Sequence, residues 1–311
     1  MAIHWYPGHM HKARKEMVKA LPSVDLVIEV LDARIPYSSE NPVVADLRTK
    51  NGYTKPCIKL LNKSDLADAA TTQAWCDAFE HDRNVRALPI MATQTGQVKP
   101  LIAACRQLFP DRKLDKPIHA MIMGIPNVGK STLINALAGR VIAKTGNEPA
   151  VTKNQQRIDL GNGIVLFDTP GILWPKIENE NSGYRLACIG SIKDTALDYD
   201  DVGFYLIEYL LEAYPGLLKQ RYDITNLPTE PLHFLEHIGA NRGCLGAGGR
   251  VDLVKICTIV INELRNGTLG RISLETPEMI EKEMIEVDRI IKEKAEKKAA
   301  RKKNFKGKKR P

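Results

Sequence analysis

Long apolar runs are missing from this sequence. No stretch of the 311 residues approaches the roughly 18 consecutive apolar residues that a membrane-spanning helix needs. The opening residues, MAIHWYPGHM, also lack the apolar centre of a secretory signal peptide. We therefore expect a cytoplasmic protein that makes no contact with a membrane.

Paired cysteines are missing as well. None of the six cysteines forms a C-x-x-C pair, and they are scattered along the chain. This spacing argues against a zinc ribbon and against a disulfide framework. We expect reduced, partly buried thiols at Cys57, Cys76, Cys105, Cys188, Cys244 and Cys257.

Excess positive charge is confined to the end of the chain. The net charge is +8, but residues 297 to 311, KKAARKKNFKGKKRP, hold nine Lys or Arg and no acidic residue, which leaves the preceding residues with a slight negative balance. Such a segment buries little apolar area, so we expect it to be disordered when free. It can neutralise phosphates and release counterions, which favours contact with RNA or DNA over the alternative of a solubilising tail.

Apolar runs rich in Val, Ile and Leu alternate with helical patterns up to about residue 175. The runs are DLVIEVLD, CIKLLN, ALPIMA, HAMIMG, QRIDLG and IVLFDTPG, and helical patterns such as TQAWCDAFE and STLINALAG lie between several of them. This alternation predicts an α/β fold with a mostly parallel sheet covered on both faces. The polar, proline-ended segment DRKLDKP at 111 to 117 indicates a linker between two halves of that sheet.

Beyond about residue 175 the strand patterns stop. The segments DDVGFYLIEYLLEAY and RVDLVKICTIVINELRNG are apolar at helical spacing and predict a small all-helical domain. Near the start, MHKARKEMVKAL predicts a basic amphipathic helix with Met10, Met17 and Leu21 on one stripe. The predicted organisation is a basic N-terminal segment, an α/β nucleotide-binding domain, the helical domain, and a charged helix with a basic tail, at residues 1–22, 23–175, 176–275 and 276–311.

The segment GIPNVGKS, residues 124 to 131, fits the phosphate-binding pattern G-x-x-x-x-G-K-S and lies between a strand pattern and a helix pattern. Its glycines allow backbone N–H groups to surround phosphates at a helix N-terminus. Lys130 would add a cation and Ser131 a ligand for Mg²⁺. The residues predicted to wrap the phosphates are Asn127, Val128, Gly129, Lys130, Ser131 and Thr132.

The segment DTPG, residues 168 to 171, ends the strand pattern IVLF. Asp168 can hold Mg²⁺ through water, and the Gly171 N–H can bond a terminal phosphate, so the segment can sense whether that phosphate is present. Thr152 lies between the phosphate-binding helix and the next strand, where it can reach the same metal and the same phosphate. The alternative for Thr152 is an ordinary loop threonine.

The segment NKSD, residues 62 to 65, follows the apolar run CIKLL. Asp65 can accept hydrogen bonds from N1–H and the exocyclic amine of guanine, donors that adenine lacks. Asn62 can reach the purine edge, the stem of Lys63 can pack over the base, and Ser64 completes the segment. The alternative is a helix cap of a kind frequent in any protein.

The guanine-reading segment precedes the phosphate-binding segment, which reverses the usual order. Loops at the ends of parallel strands can be rearranged in sequence when the original termini are close enough to be joined. A GTPase domain cut before its fourth strand and rejoined through DRKLDKP would give this chain.

Taken together, these segments closely resemble the ribosome biogenesis GTPase A family (YlqF/RbgA), whose members are circularly permuted GTPases. The resemblance covers about residues 1 to 275 and is carried by WYPGHMHKAR, DARIPYSSENP, LLNKSD, GIPNVGKSTLIN, AKTGNEPAVTKNQQ, DTPGILWPK and RGCL with its following GG. It implies a circularly permuted P-loop GTPase domain followed by a small helical domain. It also implies hydrolysis of GTP to GDP during late assembly of the large ribosomal subunit, with the subunit precursor and its rRNA as partners.

Several residues bear on how hydrolysis would proceed. Many GTPases have Gln after D-x-x-G to orient water, whereas this chain has Ile172, so we expect slow intrinsic turnover that the ribosome stimulates. Asn127 occupies the position that in related GTPases helps to hold K⁺, which would supply positive charge. The resemblance suggests His9 as the catalytic residue, with a structural histidine as the alternative.

The second guanine-contacting loop corresponds to Met91 and Ala92, whose backbone N–H groups could bond the guanine O6. We expect a protein that is monomeric off the ribosome. The alternative function is a nucleotide-gated RNA-binding chaperone without significant turnover of its own.

Overall fold

A six-stranded sheet with helices on both faces occupies the N-terminal half of the protein in a computed structural model. The structure describes residues 8–48, 54–113, 115–143, 156–160 and 163–307. Within those ranges the side chains of residues 9, 46, 47, 95, 97, 247 and 299–307 are outside the description. The strands are β1 (Leu26–Asp32), β2 (Cys57–Asn62), β3 (Val85–Ile90), β4 (Ile118–Gly124), β5 (Gln156–Asp159) and β6 (Ile164–Asp168).

Helices connect these strands and then continue without a sheet. The helices are α1 (Gly8–Ala20), α2 (Pro36–Ser39), α3 (Pro42–Arg48), α4 (Ala69–Phe79), α5 (Lys99–Gln107), α6 (Lys130–Ala138), α7 (Glu180–Cys188), α8 (Tyr199–Ala213), α9 (Pro215–Tyr222), α10 (Pro231–Asn241), α11 (Leu253–Asn266) and α12 (Pro277–Gly307). All six predicted strands are therefore confirmed, as is the amphipathic helix near the start.

The strand order β3-β2-β1-β4-β6-β5 places the two halves of the sheet side by side. Each neighbouring pair is parallel except β5 with β6. The halves meet where β1 pairs with β4, and the segment 111–117 crosses between them. Arg112 in this linker bonds Asp25, which precedes β1, with an Nη2–Oδ1 distance of 3.0 Å. Because β2, β4 and β6 run in the same direction, NKSD, GIPNVGKS and DTPG all follow strand ends at one edge of the sheet.

Burial follows the predicted apolar pattern. Every residue of β1 is buried, as expected for a parallel strand with helices on both faces. On α1, Met10 is fully buried and Met17 is 2% exposed, so the predicted stripe faces the core. All six cysteines are free and buried.

The predicted helical region is built around α8 and α11. Val202, Leu206 and Leu210 of α8 are buried in the same cluster as Val260 and Leu264 of α11. The helices approach closely at a glycine, because a Cβ at residue 203 would overlap the side chain of Cys257. One cluster of buried residues runs from the sheet into this region, and the predicted domain boundaries stay a prediction.

The basic end of the chain differs from the expectation of disorder. α12 continues to Gly307, through most of the segment from 297 to 311. Its residues are chiefly Glu, Lys, Ala, Arg and Ile, and after its first residue it contains no proline, so intrinsic helix propensity extends it. Its first turns pack against α4, with Ile280 in a cluster that contains Leu61 and Trp75. Among the described residues, no helix combines the length and apolar character needed to cross a bilayer.

Candidate nucleotide site

The phosphate-binding segment forms a tight loop between β4 and α6. Gly129 precedes α6 with φ of 90°, and a Cβ there would overlap the amide of Asn62. A Cβ at Gly124 would lie 2.6 Å from the Val30 carbonyl oxygen. Both glycines are therefore required by the close approach of neighbouring chain, and Asn127 takes a left-handed conformation with φ of 63°.

Three consecutive carbonyl groups of this loop are held from outside it. Each accepts one side-chain hydrogen bond, and each donor–acceptor distance is 2.7 Å. The pairs are Ser191 Oγ with Pro126 O, Lys63 Nζ with Asn127 O, and Asn62 Nδ2 with Val128 O. In a planar trans peptide the N–H points away from the C=O, so these bonds turn the following N–H groups to the opposite side. The loop is thereby organised as an anion cradle.

A buried charge pair lies beneath the cradle. Lys130 is 7% exposed and Asp168 is 1% exposed. Burial lowers the pKa of Lys130 and raises the pKa of Asp168, and the opposite charge of each partner opposes the shift of the other. Neither carboxylate oxygen of Asp168 makes a hydrogen bond of good geometry among the residues that the structure describes, although the Thr169 N–H lies close enough to lower its pKa. Because a buried carboxylate of this kind needs a cation or donors, the site suits a metal ion and a phosphate.

The DTPG segment packs directly on the cradle. Thr169 Oγ1 donates to the Ile122 carbonyl at 2.8 Å, which fixes the end of β6 against β4. A Cβ at Gly171 would lie 3.2 Å from Pro126 Cα, so a side chain there would press on the phosphate loop. Ile172 is 1% exposed and points into the core, so it offers nothing to the nucleotide side.

The NKSD segment braces two loops. Asn62 is 2% exposed, and besides donating to the cradle it accepts from the Ala92 N–H at 2.9 Å. Ser64 Oγ donates to Ile90 O at 3.0 Å. These bonds hold the β2 and β3 ends together, and Asp65 is left exposed at the surface of the site.

The predicted guanine contact through Met91 and Ala92 stays a prediction. The Ala92 N–H donates to Asn62 Oδ1 at 2.9 Å, so β2 and β3 are joined at the place where that contact is expected. Met91 is half-buried just after β3. Ser131 and Thr132 lie in the first turn of α6 and are partly exposed. Thr152 and the side chain of His9 lie outside the described residues.

An ion cluster that the sequence motifs did not reveal supports Lys63. Lys63 Nζ donates to Asp32 Oδ2 at 2.9 Å, and Arg34 bonds both oxygens of Asp32 at 2.9 and 2.8 Å. Although burial opposes its ionisation, the charges of Arg34 and Lys63 hold the pKa of Asp32 well below its ordinary value. Arg34 also donates to Leu264 O at 3.0 Å, which links this cluster to the end of α11. The signal for it was an Asp and an Arg two residues apart at the end of a mostly apolar, wholly buried strand.

The helical region also reaches the cradle. Asn127 Nδ2 donates to the Gly190 carbonyl at 2.6 Å, beside the bond from Ser191. Farther along, Arg185 of α7 bonds both oxygens of Glu283 on α12 at 2.9 and 2.6 Å. The segment that leaves DTPG therefore contacts the phosphate loop at one end of α7 and α12 along its side.

Comparison with known proteins agrees with this geometry. Residues 119–220 match the family described as 50S ribosome-binding GTPase. Ribosome biogenesis GTPase A of Bacillus cereus is 45% identical over 288 residues, which cover 89% of this chain and 95% of that protein. The chain belongs to the ribosome biogenesis GTPase A family.

Further members and solved structures extend the match. Ribosome biogenesis GTPase A of Priestia megaterium is 43% identical, covering 91% of this chain and 99% of that protein. The structure of GNP-bound YlqF from T. maritima is 28% identical with a TM-score of 0.59, covering 86% of this chain and 99% of that one. Membership of the ribosome biogenesis GTPase A family confirms the circularly permuted P-loop GTPase fold. It also makes this protein a GTP-hydrolysing enzyme of ribosome biogenesis.

Proposed function

We propose that this GTPase is an assembly factor for the large ribosomal subunit. As a monomer in its GTP state it binds rRNA of the subunit precursor, and hydrolysis releases it. The observation that carries the proposal is the path from DTPG to the helical region. Gly171 packs on Pro126, the chain then enters α7, and α7 ends in contact with the same loop. A change at the terminal phosphate thus reaches α7 with no intervening strand.

Magnesium fits the buried carboxylate at the cradle. Asp168 has two oxygens without a hydrogen bond of good geometry in the described part of the chain and sits with Lys130, so a cation and phosphates would satisfy both groups. The hydroxyl of Ser131 and that of Thr152 would complete the protein's share of the ligands. Bound Mg²⁺ would neutralise charge on the phosphate oxygens. We place K⁺ beside Asn127, where it would add positive charge during hydrolysis.

The protein's own residues support slow unassisted hydrolysis. Lys130 and the cradle N–H groups bind phosphates, but Ile172 has no polar group with which to orient water. His9 is the second residue of α1, and the sulfur of its neighbour Met10 lies 3.4 Å from the backbone nitrogen of Leu173, two residues after DTPG. We propose that docking on the ribosome brings His9 to the attacking water and so raises the rate.

The basic end of the chain supports an RNA partner. Residues 297 to 311 carry nine positive charges and no negative one. Such a segment neutralises RNA phosphates and makes binding fall steeply as salt rises.

Hydrolysis and pelleting assays with large-subunit precursors test the proposal. We expect the full chain to hydrolyse GTP faster with particles than alone, and to sediment with them in a non-hydrolysable GTP analogue but not in GDP. Unchanged hydrolysis together with nucleotide-dependent binding would favour the chaperone alternative. Equal sedimentation in both nucleotides would contradict release on hydrolysis.

A histidine pair on α1 tests the catalytic role separately. His9→Ala should reduce the particle-stimulated rate by at least about tenfold, because general acid–base or water-positioning groups contribute that much or more. His11→Ala changes an exposed residue of the same helix and should leave the stimulated rate near wild type. Equal rates for the two variants would exclude His9 from catalysis.

A further inference from the structure

The end of α7 has a defined geometry that aims one side chain at the phosphate loop. Gly190 takes φ of 77°, its N–H bonds Ala187 O at 3.0 Å, and the Ser191 N–H bonds Leu186 O at 2.9 Å. This pair of bonds is a Schellman motif, which reverses the chain after a helix. The reversal places Ser191 directly after the left-handed glycine, facing back toward the sheet.

Ser191 departs from what that position usually holds. The residue after the left-handed glycine often makes an apolar contact with the last helical turn. Here it is a serine that is fully buried, and its hydroxyl donates to the Pro126 carbonyl at 2.7 Å. A buried hydroxyl without a partner would cost free energy, so this bond satisfies Ser191 and the loop carbonyl together.

The turn is itself held in place. Arg265 of α11 donates to Cys188 O and Ala187 O, each at 2.9 Å, and so caps the end of α7. Gly190 O in turn accepts from Asn127 Nδ2 at 2.6 Å. The turn therefore contacts the phosphate loop through two consecutive residues, Gly190 and Ser191, and is held from its other side by α11.

We propose that Ser191 is a positioning residue for GTP binding. By holding the Pro126 carbonyl it fixes the plane of the peptide that joins Pro126 to Asn127, and thus the direction of the Asn127 N–H. Lys63 and Asn62 do the same for the next two peptides from the guanine-reading side. Three consecutive peptide groups of the phosphate loop are thus held in a fixed orientation, and the helical region holds one of them through Ser191.

Substitution of the hydroxyl tests this role. The affinity of the full chain for GDP and for a non-hydrolysable GTP analogue should fall in the order wild type, Ser191→Cys, Ser191→Ala, because a thiol is a weak donor and a methyl group is none. We expect a loss of about fivefold to tenfold for Ser191→Ala, because phosphate must then re-orient the released peptide, at a cost up to that of one buried hydrogen bond. In hydrolysis assays KM should rise while kcat changes little, since the bond acts on bound phosphates throughout the reaction.

Ser182 provides the matched control. It is a buried serine of the same α7 helix whose hydroxyl lies 2.9 Å from that of Ser38, away from the phosphate loop. Ser182→Ala should lower the melting temperature of the nucleotide-free protein but keep the wild-type shift on adding nucleotide. Unchanged nucleotide affinity in both Ser191 variants, or an equal loss in Ser182→Ala, would overturn the proposal.

Discussion

Removal of one carboxylate on α12 should separate that helix from α7. Glu283 accepts two bonds from Arg185 and one each from Asn179, at 2.6 Å, and Asn181, at 3.0 Å. Burial opposes its ionisation, but these donors hold the pKa of Glu283 below its ordinary value. Glu283→Ala therefore leaves four hydrogen bonds without their acceptor.

The loss of unfolding free energy in Glu283→Ala can be estimated from the charges that remain. Breaking a buried ion pair by removing one partner typically costs about 3–5 kcal/mol. The Glu283 side chain is 18% exposed, so water can replace part of the lost contact. Arg185 also keeps Glu275, whose oxygen lies 3.5 Å from Nη1. We therefore expect Glu283→Ala to lower the free energy of unfolding by about 2–3 kcal/mol.

Urea unfolding of the full chain measures this change. The midpoint should fall for Glu283→Ala, and trypsin should cut faster within the basic part of α12 as that helix detaches. Glu286→Ala is the matched control, because Glu286 lies one turn along the same helix and pairs only with the exposed Arg289 among described residues. We expect no measurable change for this control. Similar midpoints for the two variants would refute the inference that Glu283 anchors α12.

Two other substitutions test the buried carboxylic acid Glu29 and the predicted guanine-binding residue Asp65. Burial and the charge of Glu40, opposed by Lys59, raise the pKa of Glu29 to about 7, so wild-type stability should decrease as pH rises from about 4.5 to 7. Glu29→Gln should remove that loss and be more stable than wild type by about 3 kcal/mol at pH 8, with little difference at pH 4.5, in urea unfolding. Asp65→Asn should reduce the preference for GTP over ATP at least about tenfold in competition binding, because an acceptor for two guanine donors is lost.

These two variants have distinct controls. A stability difference for Glu29→Gln that stays constant between pH 5 and pH 8 would contradict the raised pKa. For the guanine reader, Asp77→Asn changes an exposed aspartate of α4 and should keep wild-type selectivity. If Asp65→Asn kept the wild-type preference for GTP over ATP, NKSD would not be the segment that recognises the base.

Local patterns predicted the elements that carry their own periodicity. The strands β1, β2 and β4 are apolar runs of ordinary strand length, and the Gly-Lys-Ser sequence at the start of α6 requires a helix N-terminus by its chemistry. The basic end of α12 was read from charge as disordered, whereas its Glu, Lys and Ala content also favours helix. Composition alone could not decide between these two properties.

Contacts between segments far apart in the sequence could not be predicted from local sequence patterns. The bond from Ser191 to Pro126 joins residues 65 apart, and the bond from Arg34 to Leu264 joins residues 230 apart. Neither pair belongs to a spacing rule, because each depends on how whole helices pack. The use of the Ala92 N–H by Asn62 was missed because it depends on the register in which β2 pairs with β3.

The reversed order of the motifs has a consequence for synthesis of the chain. As the polypeptide leaves the ribosome, β1, β2 and β3 emerge first, and β1 remains an unpaired sheet edge until β4 follows. Residues 62 and 63, which donate hydrogen bonds to the phosphate loop, are therefore synthesised before the loop carbonyls that accept them. The last of the three donors, at residue 191, emerges only after α7 has been made. The nascent chain therefore contains NKSD early, but the three side-chain bonds to the phosphate loop can all form only after α7 has been made.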